Sequence, residues 1–282
     1  MIFVGKKNST SFFLLISLIL GLALYTALFS SCVYEDLSKC SRMFMLQPRY
    51  LLHTGEGDRF GEAVHHIDVY AFDSLGIYRK MFRDKGAHLK NGYRMPIDLP
   101  EGKWTFLCLG GKVGDYEIGI FKTGIPQQFS LAVSPGITTL SDFRVKAYFE
   151  QKENLEYSLG ELFFGRLDSM EITADNGGTG VVDLMKNTNK IEVRVKGIAD
   201  GSSARITSDN GRFNSENVTP ADAGMIIYVP YYSASQADDT RVFQFDVLRL
   251  YTDGHLFLKL LNPDGTDVIP GFTKDLILSL IH

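Results

Sequence analysis

The chain contains 282 residues, of which 45% are hydrophobic and 22% are charged, and its formal net charge is -4. This composition is that of a folded protein and excludes an intrinsically disordered chain. The slightly acidic balance, with no run rich in Lys or Arg, argues against nucleic-acid binding.

The first 31 residues have the order of a secretory signal peptide. Lys6 and Lys7 precede an uncharged apolar stretch from Phe12 to Phe29, and the small pair Ser30-Ser31 closes it. A basic start, an apolar middle and small residues at the exit are typical of a leader that is removed from the mature protein. We therefore predict a signal peptide over residues 1–31.

Cys32 directly follows that small pair, as in a bacterial lipoprotein signal. Cleavage before Cys32, lipidation of its thiol and acylation of its amine would produce a triacylated residue. One acyl chain gives only marginal membrane binding and stable anchoring takes two, so a triacylated cysteine would hold the protein on a membrane. Two alternatives stay open: an uncleaved spanning helix, which needs roughly 20 apolar residues, and a secreted protein without lipid. Phe29 departs from the usual Leu, Ala or Val of the lipoprotein pattern.

The remaining sequence has the pattern of an all-β protein. Ile67–Phe72 and Ile77–Phe82 flank a turn at Asp73–Gly76, and Tyr93–Leu99 and Lys103–Leu109 flank a Pro-Glu-Gly turn. In the last of these segments apolar side chains occur on both faces, which predicts an interior strand of a sandwich. Further segments of strand character lie at 128–133, 142–149, 162–173, 190–195, 225–229, 242–251 and 255–261.

The spacing of these strands predicts two antiparallel β-sandwich domains. The segment Asp175–Gly180 is the best linker candidate, because its composition cannot build a core. We place the domains at residues 32–178 and 179–282. The second has only about 100 residues, the lower limit for seven strands, so both a complete and an incomplete C-terminal sandwich remain open.

No catalytic or metal-binding pattern is present, and we predict a non-enzymatic protein without a bound cofactor or metal site. The nucleophile elbow, the His-Glu-x-x-His zinc motif and the phosphate loop are all missing from the sequence. His65 and His66 are adjacent, so on a strand they point to opposite faces. The loop Asn262–Asp267 is better explained as a β-turn than as a calcium loop, because the distal Glu is missing.

Two cysteines remain if Cys32 is lipidated. Cys40 and Cys108 are the candidate disulfide pair in an oxidising compartment, although the apolar surroundings of Cys108 equally predict a buried free thiol. An alternative function is glycan binding at the surface, for which exposed aromatic side chains would serve. Trp104, the only Trp, lies in mid-strand and favours a core position instead.

Several segments of the sequence together carry a resemblance to a known family. The stretch Cys32–Cys40 reads CVYEDLSKC, and an apolar segment follows at Met43–Leu52. The segment Val69–Asp73 ends a strand in Phe-Asp, and Leu99–Trp104 reads LPEGKW before the pair Gly110-Gly111. These segments resemble fimbrial anchor lipoproteins, the FimB-like family of type V fimbriae in anaerobic Gram-negative bacteria. The resemblance is good over residues 32–111 and thinner afterwards.

The resemblance implies a two-domain, transthyretin-like β-sandwich protein at the base of a fimbria. Its lipid on Cys32 would lie in the outer membrane, and its partners would be the fimbrial stalk subunits. In that family, acidic residues such as Glu35-Asp36 behind the lipidated cysteine accompany export to the cell surface, although a solvated tether explains them equally well. Members continue past a segment like Ile269–Leu278 into further strands, whereas this sequence stops soon after it.

Overall fold

The alternating apolar segments of the sequence form strands almost throughout the computed structural model. The structure describes residues 43–51, 55, 57–122, 128–130, 133–147, 154–155, 158–173, 178–221, 223–236, 238–271 and 274–275. Helical structure in these ranges consists of one short α-helix, α1 (Phe60–Ala63), and a 3-10 turn at Val113–Asp115. The all-β prediction is therefore confirmed.

Twenty strands are described. Ten precede residue 178: β1 (Phe44–Arg49), β2 (His66–Phe72), β3 (Tyr78–Lys85), β4 (Met95–Ile97), β5 (Gly102–Gly111), β6 (Tyr116–Lys122), β7 (Gln128–Ser130), β8 (Phe143–Ala147), β9 (Asn154–Leu155) and β10 (Leu162–Ile172). Ten follow it: β11 (Thr179–Asp183), β12 (Met185–Lys186), β13 (Thr188–Lys196), β14 (Ser203–Ser208), β15 (Arg212–Asn214), β16 (Ile226–Tyr228), β17 (Tyr232–Ser235), β18 (Thr240–Leu248), β19 (Leu256–Leu261) and β20 (Lys274–Asp275).

The strands form five sheets, which we number by layer. Sheet 1 has the order β11-β1-β4, sheet 2 has β12-β10-β5-β2-β3, and sheet 3 has β15-β8-β6-β7. Sheet 4 has the order β13-β18-β17 and sheet 5 has β20-β19-β14-β16-β9. Neighbouring strands are antiparallel, with two exceptions among the described residues: β1 with β11 and β9 with β16 are parallel pairs.

Sheet 2 contributes to two hydrophobic cores, one on each of its faces. On β5, Phe106 and Cys108 face the first core, which sheet 1 closes with residues such as Phe44. Leu107 and Leu109 face the second core, which includes side chains from sheets 3, 4 and 5. The alternation of β5 therefore has the predicted outcome: an interior strand with both faces covered.

One predicted strand and the predicted linker differ from the structure, and β6 and β14 are not among the predicted strands. Of the predicted strand Tyr93–Leu99 only Met95–Ile97 is a strand, since β4 is an edge that pairs with β1 alone and Pro96 has no amide to donate. The linker candidate Asp175–Gly180 ends inside β11, because Thr179 and Gly180 pair with Met45 and Leu46. A Cβ on Gly180 would lie 2.7 Å from Phe44 and Leu167, so this glycine serves close packing rather than flexibility.

Strands from both sides of residue 178 share sheets. Over five residue pairs, β11 lies beside β1, and β12, β15 and β16 pair with β10, β8 and β9. The described residues belong to one compact unit. The division into domains at 32–178 and 179–282 stays a prediction. In the structure, residues 179–186 form β11 and β12, which are outer strands of sheets 1 and 2.

Candidate functional site

The residues predicted to carry chemistry are only partly within the described ranges. Cys32 and Cys40 lie outside them, so lipidation of Cys32 and a disulfide between Cys40 and Cys108 stay predictions. Cys108 lies on β5 with no exposed surface, and its burial raises the pKa of the thiol. A thiol that stays protonated is a poor nucleophile, so Cys108 has a packing role in the first core.

The described ranges contain no group of three or more His, Cys, Asp or Glu side chains arranged to hold a metal ion. His66 instead contacts the buried Asp68, with 2.9 Å between Nε2 and Oδ1. The loop after β19 is a turn, in which Asn262 N donates to Thr266 O and the Asp264 carboxylate accepts from the Thr266 amide. The carboxylate that gave this loop its calcium-like pattern is thus bonded within the turn.

Trp104 is a core residue. It is 6% exposed, and its Nε1 donates to the Pro100 carbonyl oxygen at 3.0 Å across the Pro-Glu-Gly turn. Its ring therefore supports the turn and offers no stacking surface to a sugar, which weakens the glycan-binding alternative.

No helix in the part of the chain that the structure describes is long and apolar enough to span a bilayer.

The longest unpaired strand edge among the described residues is the outer edge of sheet 4. Its edge strand β13 pairs along all nine residues with β18, and among the described residues no strand pairs with its other side. Nine residues is more than the commonest strand length of about five or six, and long edges with unpaired amides and carbonyls attract further strands. We call this feature the β13 edge.

The side chains of β13 alternate as the sequence predicted. Ile191, Val193 and Val195 point towards the second core but are only half-buried. Such side chains would become fully covered if another strand extended the sheet. The β13 edge therefore offers apolar area as well as main-chain hydrogen bonds to a partner strand.

The opposite face of β13 is charged. Glu192 accepts from Gln244 Nε2 at 2.9 Å and from Arg194 Nε at 2.7 Å, and these two hydrogen bonds lower its pKa. Lys196 Nζ lies 2.9 Å from an Asp238 carboxylate oxygen. With Lys190, this face carries three basic groups against the two carboxylates of Glu192 and Asp238. An added strand with acidic side chains on this face would meet favourable cross-strand partners.

A cleft of about 650 Å³ opens beside the first residues of β13. Its walls include Tyr50, Met185, Asn189 of β13 and Arg249. Met185 is 40% exposed and gives the cleft an apolar wall. Sequence reasoning identified β13 as a half-exposed strand but had no signal for its edge position or for this cleft, since both depend on long-range strand pairing.

Comparisons with known proteins place this architecture among fimbrial proteins. A family model described as "Fimbrillin-A associated anchor proteins Mfa1 and Mfa2" matches residues 37–280. A search of curated proteins gives no significant match.

Solved structures share the fold. The fimbrial anchor protein Mfa2 from Porphyromonas gingivalis superposes with a TM-score of 0.67 at 18% identity, covering 85% of this chain and 84% of that one. A "putative adhesin" from Bacteroides ovatus gives a TM-score of 0.69 at 21% identity, with 85% and 79% covered. A Bacteroides thetaiotaomicron structure described as "putative polysaccharide binding proteins" gives 0.67 at 22% identity, with 83% and 80% covered.

Proposed function

Because the chain belongs to the family of fimbrillin-A associated anchor proteins, we propose that it is an outer-membrane lipoprotein that anchors a fimbria to the cell surface. The family match over residues 37–280 is the observation that carries this proposal. The lipoprotein pattern at Cys32 supports it by supplying a membrane attachment immediately before the matched region. The role is mechanical and non-enzymatic, and it supports cell adhesion by keeping the fimbria on the cell.

The β13 edge is the site that we assign to the stalk subunit. A strand of the subunit would add to β13, with its apolar side chains over Ile191, Val193 and Val195 and acidic side chains opposite the basic face. A base that is fixed by lipid and takes one stalk subunit on its β13 edge would also end the polymer at the cell surface. This is how the protein would take part in assembly and length control.

Membrane attachment is tested by Cys32→Ser. We expect this variant to leave the membrane fraction and fimbriae to appear in the medium, because no acyl chain then holds the base. Cys40→Ser is the matched control, since Cys40 carries no lipid in this proposal, and it should stay in the outer membrane. Retention of Cys32→Ser on membranes would contradict lipid anchoring and favour a spanning segment.

Docking at the β13 edge is tested by placing a photo-crosslinking amino acid at Arg194. The matched control is Tyr232, which is 48% exposed on β17 at the opposite edge of the same sheet. We expect Arg194 to crosslink to a fimbrial subunit on fimbriated cells and Tyr232 not to. Crosslinks from Arg194 to residues 276–282 of the same chain, or equal yields at both sites, would refute this assignment.

A further inference from the structure

Three large apolar side chains are exposed at loop positions that the anchor function has not used. Leu75, in the turn between β2 and β3, is 78% exposed, and Ile137, in the loop before β8, is 68% exposed. Met43, immediately before β1, is 49% exposed. We call these three residues the apolar end. Solvent-exposed apolar side chains gathered at one place commonly mark an interaction surface.

Strand pairing puts all three residues at the same end of sheets 1 and 2. Phe44, next to Met43, lies opposite Ile97, the last residue of β4. After Ile97 the chain turns into β5, so Met43 lies at the end of the sheets where β5 begins. The last residue of β2, Phe72, lies opposite Thr105 near the beginning of β5, so the turn that holds Leu75 is at that end too.

The loop that carries Ile137 is hydrogen-bonded to the turn that carries Leu75. The Leu140 amide donates to the Gly76 carbonyl oxygen at 2.9 Å, and the Tyr78 amide donates to the Thr138 carbonyl oxygen at 2.8 Å. A bridge between Ile77 and Thr139 lies between these two hydrogen bonds. The two apolar tips are therefore held side by side.

Each tip is also fixed internally. Asp73 Oδ1 accepts from the amides of Leu75 at 2.9 Å and Ile77 at 3.0 Å. Thr138 Oγ1 accepts from the Ser134 amide at 2.9 Å, which closes the loop around Ile137. Little conformational entropy is lost when such preorganised tips bind a surface. The turns present Leu75 and Ile137 to solvent in a defined orientation.

The chain enters the sheet at this same end. Met43 is eleven residues after Cys32 (43 − 32), and that length of chain spans at most about 40 Å when fully extended. A lipid on Cys32 therefore keeps the apolar end within that distance of the bilayer. The step rests on the proposed function, namely on lipidation of Cys32.

Two basic groups beside the tips have carboxylate partners: Arg79 Nη2 lies 2.6 Å from Asp73 Oδ2, and Lys80 Nζ lies 3.5 Å from Asp98 Oδ2. Lys103 lines the same cleft as Ser74 and Gly76 and is the one basic group beside the Leu75 turn that has no ion pair among the described residues. With a single unpaired cation here, binding at this end would come mainly from burial of apolar area.

We propose that the apolar end inserts into the headgroup and upper acyl region of the membrane that carries Cys32. Met43, Leu75 and Ile137 would then supply a second, non-covalent attachment. Together with the lipid, these contacts fix how the molecule stands on the membrane, because a lipid on an eleven-residue tether alone leaves its orientation free. The β13 edge would accordingly have a defined direction relative to the bilayer.

The test uses the full-length lipidated protein in phosphatidylcholine vesicles whose acyl chains carry bromine, which quenches Trp fluorescence. Leu75→Trp and Ile137→Trp place a reporter at each tip, and Met225→Trp, 62% exposed before β16, is the matched control. The native Trp104 contributes equally to all three variants, and its signal is measured in the parent protein. We expect quenching several-fold stronger at positions 75 and 137 than at 225, with no change when anionic lipid is added.

The outcomes separate this inference from the proposed function. Equal quenching at all three positions, on protein whose Cys32 is lipidated by mass spectrometry, would overturn insertion and leave the anchor intact. Quenching that requires anionic lipid would overturn the apolar account. Absence of lipid on Cys32 would overturn both proposals.

Discussion

Asp68 is a fully buried carboxylate on β2, and its neighbours make that position tolerable. Both of its oxygens accept from Arg83, Nε and Nη2 each at 2.7 Å, and His66 Nε2 lies 2.9 Å from Oδ1. Burial, and then the negative charge of Asp68, raise the pKa of Tyr70, so this phenol stays neutral beside the carboxylate. A buried charge is stable only when it is paired and hydrogen-bonded in this way.

Arg83→Met tests this arrangement. The variant keeps the aliphatic packing of the side chain but leaves the Asp68 carboxylate with His66 alone. We expect a loss of about 1–3 kcal/mol in the free energy of unfolding, the cost of an unsatisfied buried polar group. Lys80→Met on the same strand is the control, because its pair with Asp98 is exposed and should contribute about 0–1 kcal/mol. Equal unfolding midpoints in urea for both variants would show that Asp68 does not depend on Arg83.

At the scale of elements, the chain passes from sheet 1 to sheet 2 at a place where β10 has a glycine and therefore no side chain. Gly165 of β10 is buried, and a Cβ there would lie 2.7 Å from Leu184, 2.8 Å from Val182 and 3.0 Å from the Asp183 carbonyl oxygen. The chain passes from β11 in sheet 1 to β12 in sheet 2 directly over this glycine. A glycine inside a strand here marks close approach of another backbone, as strand glycines often do.

Gly165→Ala should therefore destabilise the protein by roughly 1–3 kcal/mol, the usual cost of overpacking a filled core. Gly114→Ala is the control, since a Cβ at position 114 meets nothing within 4 Å. The comparison is made by urea unfolding at neutral pH. If Gly165→Ala unfolds at the same urea concentration as the parent protein, a Cβ fits at position 165 and the expected clash with Leu184 and Val182 is wrong.

At the scale of the whole molecule, sheet 2 couples the two cores. Neighbouring residues of β5, Phe106 and Leu107, are each fully buried but face different cores. Strands before and after residue 178 also pair with each other. Domains that share a large apolar interface are not expected to unfold independently. The two cores and the sheet between them therefore form one packed interior.

This coupling predicts a single unfolding transition. Leu107→Ala removes packing from the second core, which should cost about 2–5 kcal/mol. Trp104 lies in the first core, so its fluorescence should nevertheless follow the same shift in urea midpoint as far-UV circular dichroism. Phe106→Ala, in the same core as Trp104, is the matched variant, and its two signals should also shift together. A Trp104 midpoint unchanged by Leu107→Ala would mean that the cores unfold separately.

Local pattern was enough to predict most of the strands. The two-sided apolar alternation of Lys103–Leu109 predicted an interior strand, and the charged alternation of Lys190–Val195 predicted a half-exposed one. The linker interpretation of Asp175–Gly180 gave no sign that Gly180 lies in β11, because a glycine chosen for close packing has the same letter as one chosen for flexibility. Short strands such as β12 gave too few residues for any period to be seen, and the longer strands β6 and β14 were not predicted either.

The sequence alone determined the all-β class and the core position of Trp104, because each depends on neighbouring residues, and on the same ground it predicts lipidation at Cys32. Only the tertiary structure decided that β13 is an edge, that residues 179–186 complete the first two sheets, and that Met43, Leu75 and Ile137 share one end. Those properties depend on which distant strands pair, and main-chain hydrogen bonds are the same for every residue type, so local sequence carries little information about them.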